Sequence, residues 1–260
     1  MSSNITITDE TRMAANVLMY IGIISSKANL LKESLRLGAD INGSVDDSIA
    51  HEPHYRNLPF ILVALKTAWS EKGLVILKEL LRLGANPNPP GVSLAKHAVD
   101  MPSKDYARIF PVLLENKVDL LSEFESQYGV LHYLEKSWPF ESLISRMGKL
   151  VAFISVVDDA MLADVIEKRD EYGFTILQKV AFHIQTVGVL KSNEKELEIL
   201  ERLFLLLVRR GADIYSTEKE KLSPLDTIRK SHPDLVPEII LASRGNLKKH
   251  SQKANILRSA

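Results

Sequence analysis

The run His51-Glu52-Pro53-His54 is the stretch of this chain best supplied with groups for chemistry. Two imidazoles and a carboxylate are donors that a zinc ion takes. A metalloprotease helix sets two His four residues apart on one face, with a Glu between them as general base. Here the His residues are three apart, Pro53 interrupts any helix and no third ligand is evident, so the run reads as a solvated loop. Asp158, Asp159 and Asp164 offer carboxylates for acid–base work. Only Asp159 and Asp164 could approach one another on a helix, and their spacing of five is poor, which leaves helix capping by Asp158 or Asp159 as the better use. Cysteine is absent, which removes thiolate nucleophiles, disulfides and Cys-based zinc or iron–sulfur sites. No Gly-x-x-x-x-Gly-Lys phosphate loop and no Gly-x-Ser-x-Gly elbow occurs. The residues assign no catalytic group, metal or cofactor, and what remains for them to do is bind.

Composition narrows the partner. The 33 Lys and Arg balance the 33 Asp and Glu, so no overall positive charge draws in nucleic acid or anionic lipid. Apolar runs such as Val17–Ile24 are far short of the roughly 20 residues that cross a bilayer, and the acids near Met1 are unlike the basic start of a secretory signal. With 45% hydrophobic and 25% charged residues, the chain reads as a core-forming protein of the cytoplasm.

Three stretches repeat one pattern: Leu30 to Asn42, Ile76 to Asn88 and Leu203 to Tyr215, with a weaker fourth at Val112 to Leu120. Each starts with apolar residues at three- and four-residue spacing, the signature of an amphipathic helix. The first three reach Gly38, Gly84 or Gly211 where a helix end needs the left-handed conformation. An Asp or Asn then starts a turn. Between these stretches lie turns that open helices, with Thr175 and Ser223 as N-caps and Pro224 at the first helical position. Leu58-Pro59-Phe60 and Gly129-Val130-Leu131-His132-Tyr133-Leu134 are worn versions of the same start. The spacing predicts helix pairs at 9–24 with 27–37, 58–70 with 73–83, and 92–100 with 104–115. It then predicts helices at 130–137, 139–147, 149–157 and 159–168, and pairs at 175–190 with 194–209 and 224–231 with 234–242.

A unit of turn, helix, link, helix and Gly-capped turn resembles the ankyrin repeat, which carries Thr-Pro-Leu-His-x-Ala at its first helix. Gly38-Ala39-Asp40-Ile41-Asn42 matches the family's usual ending, and positions 84 and 117 are 33 residues apart, the family period. The resemblance covers roughly 8–242. No repeat holds a full Thr-Pro-Leu-His: Ile176 replaces Pro, and Gln178 and Asp226 replace His. His132 does match that His, and the resemblance implies a structural role for it, tying neighbouring turns by hydrogen bonds. The uneven repeats are also similar to those of ankyrin proteins from intracellular bacteria, including secreted effectors of the Legionella and Coxiella type.

From Gly38 to Gly84 is 46 residues, about 13 more than the family unit. The resemblance places the extra segment, Gly43–Asn57, where ankyrin repeats project their turn fingers. Its His54, Tyr55 and Arg56 have the composition of interface anchors. Asn86-Pro87-Asn88-Pro89-Pro90-Gly91 is a rigid turn shaping the next finger, with Asn86 and Asn88 as further candidate contacts. Trp69 and Trp138 read as core.

These readings define the expectation. The fold is all-α, an ankyrin-type helical-repeat solenoid over 8–242 with atypical helices at 138–169, an N-terminal extension over 1–7 and a basic tail over 243–260. Its function is non-catalytic binding of a partner protein through fingers and a concave surface, as a monomer, with no cofactor, metal, nucleic acid or membrane insertion. Two alternatives stand beside it: a secreted bacterial effector acting on a host protein in the host cytosol, and an enzyme with its site in 138–169.

Overall fold

Sixteen apolar-striped residues open the architecture. Thr8 accepts the backbone N–H of Thr11 through its hydroxyl and starts α1 (Asp9–Ile24), as an N-cap should. The computed structural model describes residues 8–119, 129–136, 142–190, 194–217 and 222–244. The expected extension at 1–7, Trp138 and the tail from residue 245 lie outside them.

The described residues are predominantly α-helical, and they form no strand beyond two isolated bridges, Ser44 with Pro59 and Arg169 with Thr175. After α1 come α2 (Ala28–Arg36), a 3-10 turn at Pro53–Tyr55, α3 (Phe60–Thr67), α4 (Glu71–Arg82), α5 (Leu94–Val99) and α6 (Ser103–Glu115). Then follow α7 (Gly129–Lys136), α8 (Leu143–Val156), α9 (Asp159–Ile166), α10 (Ile176–Leu190), α11 (Glu194–Arg209) and α12 (Pro224–Ser231), with a 3-10 turn at Pro233–Leu235 leading into a helix over 236–244. No described helix is long and apolar enough to cross a membrane.

The chain divides into two compact units, Met1–Met101 with Arg108–Asp119, and Pro102–Ala107 with Leu120–Ala260. In the first, α1 packs on α2 and α3, and α3 on α4 and α5. Met19 and Ile23 of α1 and Leu31 of α2 are buried, as is every residue of α3 from Phe60 to Leu65. In the second, α8 packs on α7 and α11, and α10 on α11 and α12, around Leu150, Phe153, Val180, Ile184, Phe204 and Leu207.

One turn geometry recurs in both units. Gly38, Gly84 and Gly211 have φ of 94°, 98° and 107°. Each donates its N–H three residues back, to Leu35, Leu81 and Val208, while the next N–H reaches five back, to Ser34, Leu80 and Leu207, the paired bonds of a Schellman helix end. Lys117, φ 58°, makes the same pair to Leu114 and Leu113 without a glycine. Two residues beyond each of these positions, a backbone N–H is taken by a side chain from earlier in the chain. Asp40 donates to Asn16 Oδ1 (3.1 Å), Asn86 to Asn42 Oδ1 (2.7 Å), Asp119 to Asn88 Oδ1 (2.7 Å) and Asp213 to Glu167 Oε1 (2.8 Å). His132 Nε2 bonds the carbonyl of Lys168 at 2.9 Å, and Gln178 Nε2 donates to the carbonyl of Ser216 at 3.3 Å. Both residues thus reach a turn 36 or 38 residues further on.

The caps expected at Thr175, Ser223 and Asp158 accept N–H groups of Gln178, Asp226 and Met161. Gln178 Oε1 returns a bond to the Thr175 N–H at 2.9 Å, closing a reciprocal capping box. Two expectations need correction. The break between 139–147 and 149–157 is absent: α8 runs unbroken from Leu143 through Gly148 to Val156, capped by Ser142. One glycine costs a helix about 1 kcal/mol and does not end it. Trp69 is not core but 67% exposed. It sits at the apex of the α3–α4 turn, where Ala68 takes the buried position.

Candidate functional site

The long insertion Gly43–Asn57 is tied at its neck. Val45 donates to the Leu58 carbonyl (3.0 Å), Asn57 to the Val45 carbonyl (2.8 Å) and Phe60 to the Gly43 carbonyl (3.0 Å). Asn57 turns the chain at φ 58°, a conformation Asn tolerates better than most residues. Val45 is fully buried, so the insertion contributes a side chain to the core rather than only projecting from the surface. Further out, Asp46 accepts the Ser48 N–H and hydroxyl, which hold its carboxyl below the usual range. The 3-10 turn Pro53–Tyr55 then brings Tyr55 edge-on to Tyr20 of α1, with ring centroids 6.3 Å apart. Tyr20 accepts the His51 N–H through its hydroxyl at 3.3 Å.

These contacts enclose one side of a groove with a volume of about 320 Å3. The end of α1 contributes Tyr20 and Ile24, the insertion His51, Glu52 and Tyr55, and the α3–α4 turn Trp69. Its other lining groups are the hydroxyl residues Ser26, Thr67 and Ser70. The turn carrying Trp69 is compressed because Gly73 lies against the carbonyl of Thr67, where an added Cβ would come within 1.9 Å of that oxygen. Glu52 pairs with His54 Nε2 at 3.0 Å, both side chains 59% exposed. Burial first, and then the charge of Glu52, push the Tyr55 hydroxyl up from its ordinary range, so at neutral pH it stays protonated and can donate.

Of the residues expected to meet a partner, Tyr55 lines the groove, and the His54 ring lies tilted against it with ring centroids 4.2 Å apart. Arg56 is exposed outside the lining. Asn86 and Asn88 belong to another turn. Asn86 Oδ1 accepts the Asn88 N–H, and Asn88 accepts from Asp119 while donating to the Lys117 carbonyl, so both side chains hold turns together. Sequence reasoning missed Tyr20, Glu52 and Trp69 as parts of one site. The legible signal was a Trp directly before Ser70, the cap of α4, and therefore at a turn apex.

The second unit holds a polar cluster. Glu135, on α7, meets Lys179 Nζ at 2.6 Å and His183 Nε2 at 3.3 Å, both on α10, with Arg146 of α8 at 3.7 Å. Lys179 also pairs with buried Asp170 at 3.2 Å. Burial pushes the Glu135 carboxyl up, but the hydrogen bonds from His183 and Lys179, with the charge of Lys179, outweigh it and hold the group down at about 2. Asp170 is lowered by the same balance, its burial opposed by the Phe174 N–H and Lys179. A carboxylate kept ionised and fully engaged is a poor proton donor near neutrality, and its evident use is to join α7 to α10. His132 is lowered by burial, in keeping with a neutral ring bonded to a carbonyl. Among the described residues no group of three or more His, Asp or Glu is placed to hold a metal ion.

No family model matches the chain, and no curated protein matches it either.

Proposed function

We propose that the chain is an ankyrin-type repeat protein whose role is non-catalytic binding of a partner protein at the groove beside the insertion. The recurring Schellman ends, the side-chain bonds from turn to turn and the reach of His132 and Gln178 to later turns support the repeat assignment. The observation that carries the binding role is the exposure of Trp69 beside Tyr55 on a concave lining. Trp and Tyr dominate binding energy where they are set in pockets. A Trp that buries little in its own fold leaves most of its apolar surface for a partner.

The test is photo-crosslinking in lysate of the native cell, with benzoylphenylalanine replacing Tyr55 in one sample and Val75, exposed on α4, in another. The expected result is a protein captured from position 55 and not from 75, its capture suppressed by unlabelled parent and not by the Trp69→Ala variant. Equal capture from both positions, or suppression by both competitors, contradicts the reading.

A further inference from the structure

We propose that the groove receives the cationic end of a Lys or Arg side chain presented by the partner protein. The inference rests on the binding reading above and adds the chemistry of what is bound. Three of the nine lining residues are aromatic, Tyr20, Tyr55 and Trp69. Aromatic faces are electron-rich and attract an ammonium or, more often, a guanidinium within about 6 Å of the ring centre. Glu52 is the one carboxylate in the lining, which contains no Lys or Arg. The insertion as a whole carries Asp46, Asp47 and Glu52 against Arg56 alone. An incoming anion would find no Lys or Arg in the lining to receive it. An aliphatic anchor would find Ile24 as its one aliphatic wall.

Size and accessibility agree with that choice. A volume of about 320 Å3 lies at the lower end of ligand cavities, which run to about 1,000 Å3, and suits one long side chain better than a cofactor. The cation need not break a buried pair to reach its carboxylate, because both Glu52 and its partner His54 are largely solvated. The protonated Tyr55 hydroxyl and the Ser26, Thr67 and Ser70 hydroxyls supply oxygens that can accept from a guanidinium's several N–H groups.

The experiment titrates the isotope-labelled full chain with short Gly/Ser peptides bearing one central Arg, Lys or citrulline, the last being Arg's neutral isostere. The readout is the indole N–H signal of Trp69, assigned with Trp69→Phe. The Arg and Lys peptides are expected to move that signal saturably, with a Kd of about 1–10 mM for a single anchor, and citrulline to bind at least about tenfold more weakly. Glu52→Gln, with the rest of its spectrum unchanged to show an intact fold, should weaken Arg binding about two- to fivefold. Equal binding of citrulline, no saturable shift, or an unaffected Glu52→Gln variant overturns the inference. If that happens while position 55 still captures a protein, only the cationic specificity falls. If the Arg peptide binds but nothing is captured, the groove chemistry stands and the partner-binding reading falls.

Discussion

Lys117 gives the repeat geometry a quantitative test. It occupies the helix-end position that Gly38, Gly84 and Gly211 fill elsewhere, with the same two backbone bonds, 3.0 Å from its own N–H to Leu114 and 3.0 Å from Val118 to Leu113. The left-handed conformation brings an L-residue's Cβ against the following carbonyl at about 1–2 kcal/mol. Glycine escapes that cost but loses about 0.5–1 kcal/mol more chain freedom on folding. Lys117→Gly should therefore stabilise by about 0.5–1 kcal/mol. The bond from the Asn88 side-chain Nδ2 to the Lys117 carbonyl does not depend on the Lys117 side chain. For a chain of this size 1 kcal/mol moves Tm by about 2–4 °C, measurable by circular dichroism at 222 nm with guanidinium unfolding as a second reading. The reverse change, Gly84→Val, should cost about 1 kcal/mol or more. No atom lies within 4 Å of the Cβ it would add, so the cost is conformational, and Gly84→Asn should recover much of it. An unchanged or lowered Tm for Lys117→Gly, or a Gly84→Val protein as stable as the parent, would refute the left-handed assignment and the repeat alignment built on it.

Gly73→Ala should destabilise by about 2 kcal/mol despite alanine's better helix propensity, because the new methyl would meet the Thr67 carbonyl; a denaturation midpoint equal to the parent's would show that the α3–α4 turn is not so tightly closed. Acid should weaken the second unit. Glu135 is depressed in the fold to about 2 from 4.5, so its contribution, on the order of 3 kcal/mol, is complete above pH 4.5 and is lost as pH falls towards 2. Asp170 acts in the same direction, and His132, also lowered, begins the loss below its unfolded value of 6.5. Urea midpoints measured from pH 7 to pH 3 should fall, and the fall should be smaller for Glu135→Gln. Parallel pH profiles for the two proteins would show that Glu135 is not held by Lys179 and His183 as the structure has it.

Where local rules set the structure, the residues were readable. Gly38, Gly84 and Gly211 announced left-handed helix ends, and α1, α7, α10, α11 and α12 start and stop within about two residues of the helical periodicity. Lys117 was visible as a weak copy of the pattern, although nothing local says that a lysine will accept that conformation. The errors fall where distant contacts decide. Gly148 looked like a break because glycine is a poor helix former, yet packing of α8 on α7 and α11 carries the helix through it. Trp69 looked like core on its type alone, while a tight turn gave the buried place to Ala68. Glu135 and Lys179, 44 residues apart, bear no mark of each other in sequence. Tyr20 and Tyr55 meet where the insertion, tied at its neck by Val45 and Asn57 and to Tyr20 by the His51 N–H, folds back to α1.

The binding role is tested most directly by titration calorimetry of the parent and the Tyr55→Ala/Trp69→Ala double variant against the protein captured from position 55. Trp69 is 67% exposed and Tyr55 lies outside the core, so the double variant should remain folded by circular dichroism. If the groove holds the partner, affinity falls by about 2 kcal/mol or more, roughly thirtyfold, while Arg56→Ala, outside the lining, changes it little. An affinity equal to the parent's in the folded double variant would contradict the account.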